Sequence, residues 1–176
     1  GLPMLVSAGN SPAGRAFAAR HADCSFMTIN EIDTLAGEID GVKKSAGAQR
    51  VGVFASGHMI TRPTRKEADE YYHYIVYETG DWEAAEHTVK IRMRDRDTVY
   101  EKMQKLKERM ISGLGTFPVI GSYDDVAESF RRLHDAGLDG MAIGMVNYID
   151  EFPMLRDEIL PRLERLGLRR PAGDAG

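Results

Sequence analysis

Two places in this chain carry residue types and spacings suited to chemistry. The first is Ala8-Gly9-Asn10-Ser11-Pro12-Ala13-Gly14, which follows the apolar run Leu2 to Val6 and leads into the helical pattern Arg15-Ala16-Phe17-Ala18-Ala19-Arg20. A strand that breaks at a small, glycine-bearing turn and restarts as a helix leaves unpaired N–H groups at the helix start, where a phosphate can sit. Ser11 is the expected N-cap, its hydroxyl shared between helix and anion, and Pro12 falls at the tolerated first helical position. Gly9 and Gly14 would let a ligand approach the backbone closely. The same residues also suit a plain capped helix after a plain strand, and local sequence leaves both readings open. The second place is His58. Alternation along Val51 to Ile60 puts Gly52, Phe54, Ser56, His58 and Ile60 on one face of a strand and Val51, Val53, Ala55, Gly57 and Met59 on the other.

Other polar residues carry less. His21, His73, His87 and His134 have neither metal-ligand spacing nor a well-placed acid, so no metal site is expected. The single cysteine, Cys24, rules out a disulfide framework and points to a cytoplasmic setting. The net charge of -4 and pI near 5.8 argue against a nucleic-acid or anionic-membrane partner, which would need a concentrated basic surface. The basic cluster Arg92-Met93-Arg94-Asp95-Arg96 is interrupted by Asp95 and followed by Asp97, as on a solvated face. No apolar run approaches membrane-spanning length. Met141 and Met145 read as packing residues of the last strand, while Asn147 and Tyr148 just beyond it are lesser candidates for substrate contact. Tyr71, Tyr72, Tyr74 and Tyr77 read as helix packing.

The elements that must position these groups alternate in type. Strands are expected at Leu2 to Ala8, Cys24 to Ile29, Val51 to Ile60 and Gly140 to Val146. Helices are expected at Pro12 to Arg20, Glu31 to Ser45, Thr64 to Glu78, Asp97 to Ile111, Ser122 to Ala136 and Ile149 to Leu166. Thr64 and Glu67 have capping-box spacing, Ser122 precedes Asp125 in an acidic first turn, and Gly137 and Gly167 stand just past helix ends. A repeating βα order predicts a parallel sheet with helices packed outside it. Four such units are half of a (β/α)8 barrel, and a chain of 176 residues is short for the whole fold. The expectation is therefore an α/β chain forming the C-terminal half of a (β/α)8 TIM barrel, about four parallel strands with outer helices and an insertion before the last strand. Gly80 to Pro118 is the expected insertion, with Gly113-Leu114-Gly115 as a hinge for a lid.

Taken in order, these residues resemble the luciferase-like flavin monooxygenases, and within them the alkanesulfonate, dimethylsulfone and pyrimidine oxygenases. Pro3 to Gly14 with Phe17-Ala18-Ala19 and His21-Ala22-Asp23 resembles the family's fifth strand, phosphate loop and fifth helix. Thr64 with Glu67-Ala68, Ile120-Gly121-Ser122 with Val126-Ala127, Gly137 to Gly140, and Leu155 to Leu168 follow in the family's order. The resemblance implies that residues 1–168 are the C-terminal half of a luciferase-like barrel, with 169–176 a flexible tail. It also implies reduced FMN (FMNH2) and O2 as the means of oxygenating a small organic substrate, with the flavin reduced by a separate NAD(P)H-dependent reductase. Asn10, Ser11 and Gly14 would bind the cofactor, and His58, six residues before Thr64, would be the catalytic residue, donating a hydrogen bond to substrate or oxygenated flavin. The alkanesulfonate enzymes carry an arginine two residues before that histidine. Here the position is Ser56, which speaks against a sulfonate substrate. A chain of this extent would need the missing N-terminal half or a homo-oligomer partner and would be inactive alone. The alternative is a non-catalytic flavin- or phosphate-binding α/β half-barrel subunit.

Overall fold

The computed structural model describes residues 3–9, 11–48, 50–92 and 100–171. Two compact units divide the chain. The first comprises Gly1–Ser56, Glu128–Ile143 and Leu163–Gly176, and the second comprises Gly57–Ala127 and Gly144–Arg162.

In the first unit, strand β1 (Val6–Ser7) leads through Ser11 into helix α1 (Pro12–His21), then β2 (Cys24–Met27), helix α2 (Ile32–Ala46) and the start of β3 (Gly52–Arg62). All pairings are parallel, Val6 opposite Cys24 and Cys24 opposite Gly52. β1 is much shorter than the expected Leu2 to Ala8. Ahead of Val6 the edge is tied by the side chain of Asp23, which accepts from the Leu5 N–H at 2.8 Å, and by the Asp23 N–H, which donates to the Leu5 carbonyl at 2.9 Å. Helix α2 buries Leu35, Ile39 and Val42, one stripe at the i, i+4, i+7 spacing. Arg15 of α1 reaches Glu38 of α2 at 2.9 Å. The end of helix α6 (Tyr123–Asp135) closes at Gly137, φ 97°, with the Gly137 and Leu138 N–H groups donating back to the His134 and Leu133 carbonyls, a Schellman-type close. Asp139 then holds both the N–H and, through its own amide, the C=O of Val53, at 2.8 and 2.9 Å, which registers β5 (Gly140–Met145) against β3.

In the second unit, the later half of β3 pairs in parallel with β4 (Phe117–Ser122), from Gly57 opposite Phe117 to Arg62 opposite Ser122. This fifth strand was not among the four expected. The reading of Ile120-Gly121-Ser122 as the lead-in to a helix hid a strand behind Pro118. Helix α3 (Arg65–His73) carries the anticipated capping box. The Thr64 N–H donates to Glu67 Oε2 at 2.9 Å and the Glu67 N–H to Thr64 Oγ1 at 3.2 Å. It runs into a π-turn at Tyr74–Glu78, closed by the Thr79 N–H on the Tyr74 carbonyl. Helix α4 (Trp82–Arg92) was not anticipated, and α5 (Tyr100–Gly113) precedes β4. Ser122 and Asp125 exchange a reciprocal pair of cap bonds at 3.0 and 3.2 Å, the carboxylate serving where a capping box usually has Glu. The expected helix Ile149 to Leu166 is split into α7 (Tyr148–Met154), a π-turn at Leu155–Ile159 and α8 (Leu160–Arg165). Pro161 has no N–H to continue the i to i−4 series, and the helix widens just before it. Among the described residues, no helix is long and apolar enough to cross a membrane.

The end of β3 is locked by charge. Arg62 Nη1 and Nη2 both lie 3.3 Å from Glu151 Oε1, the guanidinium lies 3.6 Å from the centre of the Tyr71 ring, and Glu151 is 1% exposed. The second carboxylate oxygen, Oε2, accepts from the Val146 and Asn147 N–H groups at 3.0 and 3.2 Å. One buried carboxylate thus fastens the turn after β5 to the tip of β3. Removing it strips a half-buried guanidinium of its carboxylate partner, leaving it the Thr61 carbonyl at 2.6 Å, and takes the acceptor from two amides. Glu151→Ala should therefore lower unfolding free energy by about 3–5 kcal/mol, while Asp157→Ala at an exposed, solvent-screened pair should change it far less. Urea denaturation of the two variants makes the comparison, and equal small losses would contradict this account of the lock.

Candidate functional site

The Ser11 turn is built within the first unit. Ser11 has extended φ/ψ (−70°, 157°), its Oγ accepts from the Gly14 N–H at 3.1 Å, and its carbonyl accepts from the Arg15 N–H at 2.9 Å. Pro12 brings no N–H. Among the described residues, the donors left at this helix start are the Ala13 N–H and the Ser11 hydroxyl proton, and Ser11 is exposed. An anion with oxygen acceptors fits such a terminus, where the helix dipole adds to both donors. Arg15 Nε, buried behind the turn, has no hydrogen-bond partner among the described residues. The glycines also let the two backbones meet. A Cβ on Gly9 would lie 2.7 Å from Gly14 Cα, and one on Gly14 would lie 2.8 Å from Gly9 Cα, so the two backbones pack directly on each other. Gly14 closes the loop, while Asn10, the third expected cofactor contact, lies outside the described residues.

His58 is built within the second unit. Alternation is clean over Gly52–Ser56, where Val53 and Ala55 are buried between half-buried neighbours, but Gly57 through Thr61 are all buried. Both faces of the strand are covered there, so burial does not distinguish the face that carries His58 from the other. His58 is 3% exposed and packs against the end of α5, where a Cβ on Gly113 would come within 2.1 Å of its Cγ and Nδ1. After Gly113 the chain turns through Leu114 (φ 55°) and Gly115 (φ 84°), and the Gly115 N–H donates to the Arg109 carbonyl at 2.8 Å. The segment expected as a lid hinge is a helix C-cap that seats the histidine. Leu114 holds a left-handed conformation uncommon for a residue with a side chain, and it is 79% exposed. Thr116, three residues beyond the seat, places its Oγ1 2.9 Å from His58 Nδ1. Nε2 has no partner among the described residues.

The remaining candidates are spent structurally or exposed. Asn147 is the N-cap of α7, its Oδ1 accepting from the Ile149 and Asp150 N–H groups and its Nδ2 donating to Asp150. Tyr148 is exposed. Tyr72 and Tyr77 donate to Glu108 at 3.4 and 2.9 Å, and burial, followed by the Glu108 charge, raises the Tyr72 phenol well above its ordinary value. No group of three or more metal-binding side chains occurs among the described residues, and residues 93–96 of the basic cluster lie outside them. Sequence reasoning missed Thr116, Arg109 and Glu151, whose partners are distant in the chain.

The environment holds His58 neutral. Burial foremost, then the positive charge of Arg109, lowers its pKa from 6.5 to about 4, against an opposing contribution from Thr116. Between pH 6.5 and about 4 the unfolded chain binds a proton that the folded chain refuses, so stability falls as pH drops through that window. The full loss is about 3 kcal/mol. Urea midpoints measured across pH 4 to 7 should show this slope in the wild type and a flatter one in His58→Gln. Identical slopes would remove His58 as their source.

The profile of the luciferase-like monooxygenase family matches residues 1–140. A long-chain alkane monooxygenase of Geobacillus thermodenitrificans is 25% identical over 193 aligned positions, covering 96% of this chain and 42% of that protein. Among solved structures, a riboflavin lyase with modified FMN and riboflavin superposes with a TM-score of 0.81 at 22% identity, covering 98% of this chain and 45% of the other. DmoA from Hyphomicrobium sulfonivorans does so with a TM-score of 0.81 at 19% identity, covering 99% and 44%. The chain spans under half the length of these relatives, and the structural likenesses establish the parallel α/β fold with outer helices.

Proposed function

Because this chain belongs to the luciferase-like monooxygenase family of flavin-dependent oxygenases, we propose that it is the C-terminal half of an FMN-dependent monooxygenase that oxygenates a small organic substrate with O2. The observation that carries this reading is the Ser11 turn, an exposed serine N-cap whose hydroxyl proton and Ala13 N–H are left as donors among the described residues. Ser11, with Gly14 shaping the loop and Asn10 beside it, would hold the FMN phosphate. A dianion held by two donors at a positive helix end needs no full countercharge. When bound, the flavin supplies the oxygen chemistry, and the protein supplies position and a dry surrounding. His58 would touch the bound substrate or flavin, and its neutral state suits it to hydrogen bonding without carrying charge into an apolar site. Reduced flavin would come from an NAD(P)H-dependent reductase, in a cytoplasmic setting that the single buried cysteine fits.

Activity would require the rest of the barrel. Met4, Leu5, Val6 and Phe17, at β1 and α1, are each more than half exposed, an apolar surface of the kind a further part of the sheet covers. The missing N-terminal half, or a second copy, would do so. Flavin fluorescence titration tests the proposal. The isolated chain should bind FMN weakly, a mixture with the first half should bind it, and Ser11→Ala in that mixture should weaken binding about tenfold or more, the worth of one hydrogen bond to a charged group. Unchanged affinity on Ser11→Ala would overturn the phosphate assignment. Normal substrate turnover by the isolated chain would overturn the half-enzyme reading, and binding by the mixture without oxygenation would favour a non-catalytic subunit.

A further inference from the structure

We propose that Thr116 is a positioning residue that fixes which nitrogen of His58 carries the proton, keeping Nε2 bare as an acceptor for a ligand N–H or O–H. The inference rests on His58 belonging to the reaction site for its functional meaning, but its physical content stands on hydrogen-bond bookkeeping alone. A threonine hydroxyl has one proton. Thr116 Oγ1 lies 2.7 Å from the Gly113 carbonyl, which can only accept, so the hydroxyl proton goes there. The same oxygen lies 2.9 Å from His58 Nδ1 and has only lone pairs left to offer it. Nδ1 must therefore be the protonated nitrogen, and in a neutral ring Nε2 is then an unprotonated acceptor.

Three features hold this arrangement. Gly113 fixes the ring from one side, since any side chain there would occupy the ring's own space. The same glycine supplies the carbonyl that orients the hydroxyl, so the seat and the proton assignment come from one residue. The C-cap at Leu114 and Gly115 brings Thr116 back toward the ring, the Thr116 N–H donating to the Gly113 carbonyl at 3.0 Å. The result is a ring that is 3% exposed with one nitrogen fully engaged and the other, buried, without a partner among the described residues. Burying an acceptor without a donor is unfavourable, and a ligand that brings one relieves that cost. On this proposal His58 would accept a hydrogen bond from a ligand, where the resemblance implied a donor.

The test is nitrogen NMR of the full chain labelled with 15N-histidine near neutral pH, with the His58 signals among those of five histidines assigned by their loss in His58→Gln. The expected result is a protonated Nδ1 and an unprotonated Nε2 for His58. Thr116→Val, which keeps shape but removes the acceptor, should lose that pattern, and Thr116→Ser should restore it. A protonated Nε2 in the wild type overturns the proposal even if Thr116→Val fails to fold, as does an unchanged pattern in a folded Thr116→Val. If the pattern is as stated while His58→Gln retains full oxygenase activity in the assembled protein, the tautomer assignment stands and the catalytic reading of His58 fails.

Discussion

From Gly57 to Thr61 the third strand is buried on both faces, and every polar group on that stretch or at its end must find a partner inside the protein. Thr61 gives its hydroxyl to the Gly121 carbonyl of the neighbouring strand at 3.1 Å. Arg62 finds Glu151, and that carboxylate in turn gathers the turn after β5. His58 gives one nitrogen to Thr116 and withholds the other. The exception is informative because its neighbours are so fully satisfied. A strand that meets this demand elsewhere with a salt bridge, an aromatic ring and two backbone carbonyls leaves one buried lone pair at the residue the family resemblance marks as catalytic.

The same constraint explains what was and was not legible in the sequence. The caps at Thr64, Ser122, Gly137 and Gly167 were readable because each is a bargain struck within four residues, between a side chain or backbone group and the first or last turn of its own helix. The Ser11 N-cap was readable for the same reason. The partners of β3 were not. Thr116 lies 58 residues from His58 and Glu151 lies 89 from Arg62, and no local pattern announces either. Gly113-Leu114-Gly115 stood out as flexible composition, yet its use is to stop a helix and make room for an imidazole. β4 was hidden by Pro118 and by the helix expected from Ser122. Along β3 burial follows the alternation of faces only as far as Ser56, because from Gly57 onward both sides are covered.

The two candidate centres differ in how they are made. The Ser11 turn is local and exposed, a helix start with a hydroxyl, an amide and two glycines packed backbone to backbone. It could serve many phosphates, and it acquires meaning from the family to which residues 1–140 belong. The His58 site is non-local and buried, assembled from a strand, a helix end and a loop, and its chemistry is specific: a neutral imidazole with a directed, unsatisfied acceptor. On the proposed reading, one would bind by charge at the surface, and the other would select by hydrogen-bond polarity in the interior. An oxygenase that must hold a charged cofactor and a small organic substrate needs both kinds of recognition.

A crystal structure of the full chain assembled with bound flavin and substrate examines the central claim, that the bare His58 nitrogen is reserved for a ligand. The account predicts a flavin or substrate N–H or O–H within about 3.2 Å of Nε2, with Nδ1 still on Thr116. Nε2 engaged by a side chain or backbone group of the protein itself, with the ligands held elsewhere, would contradict it.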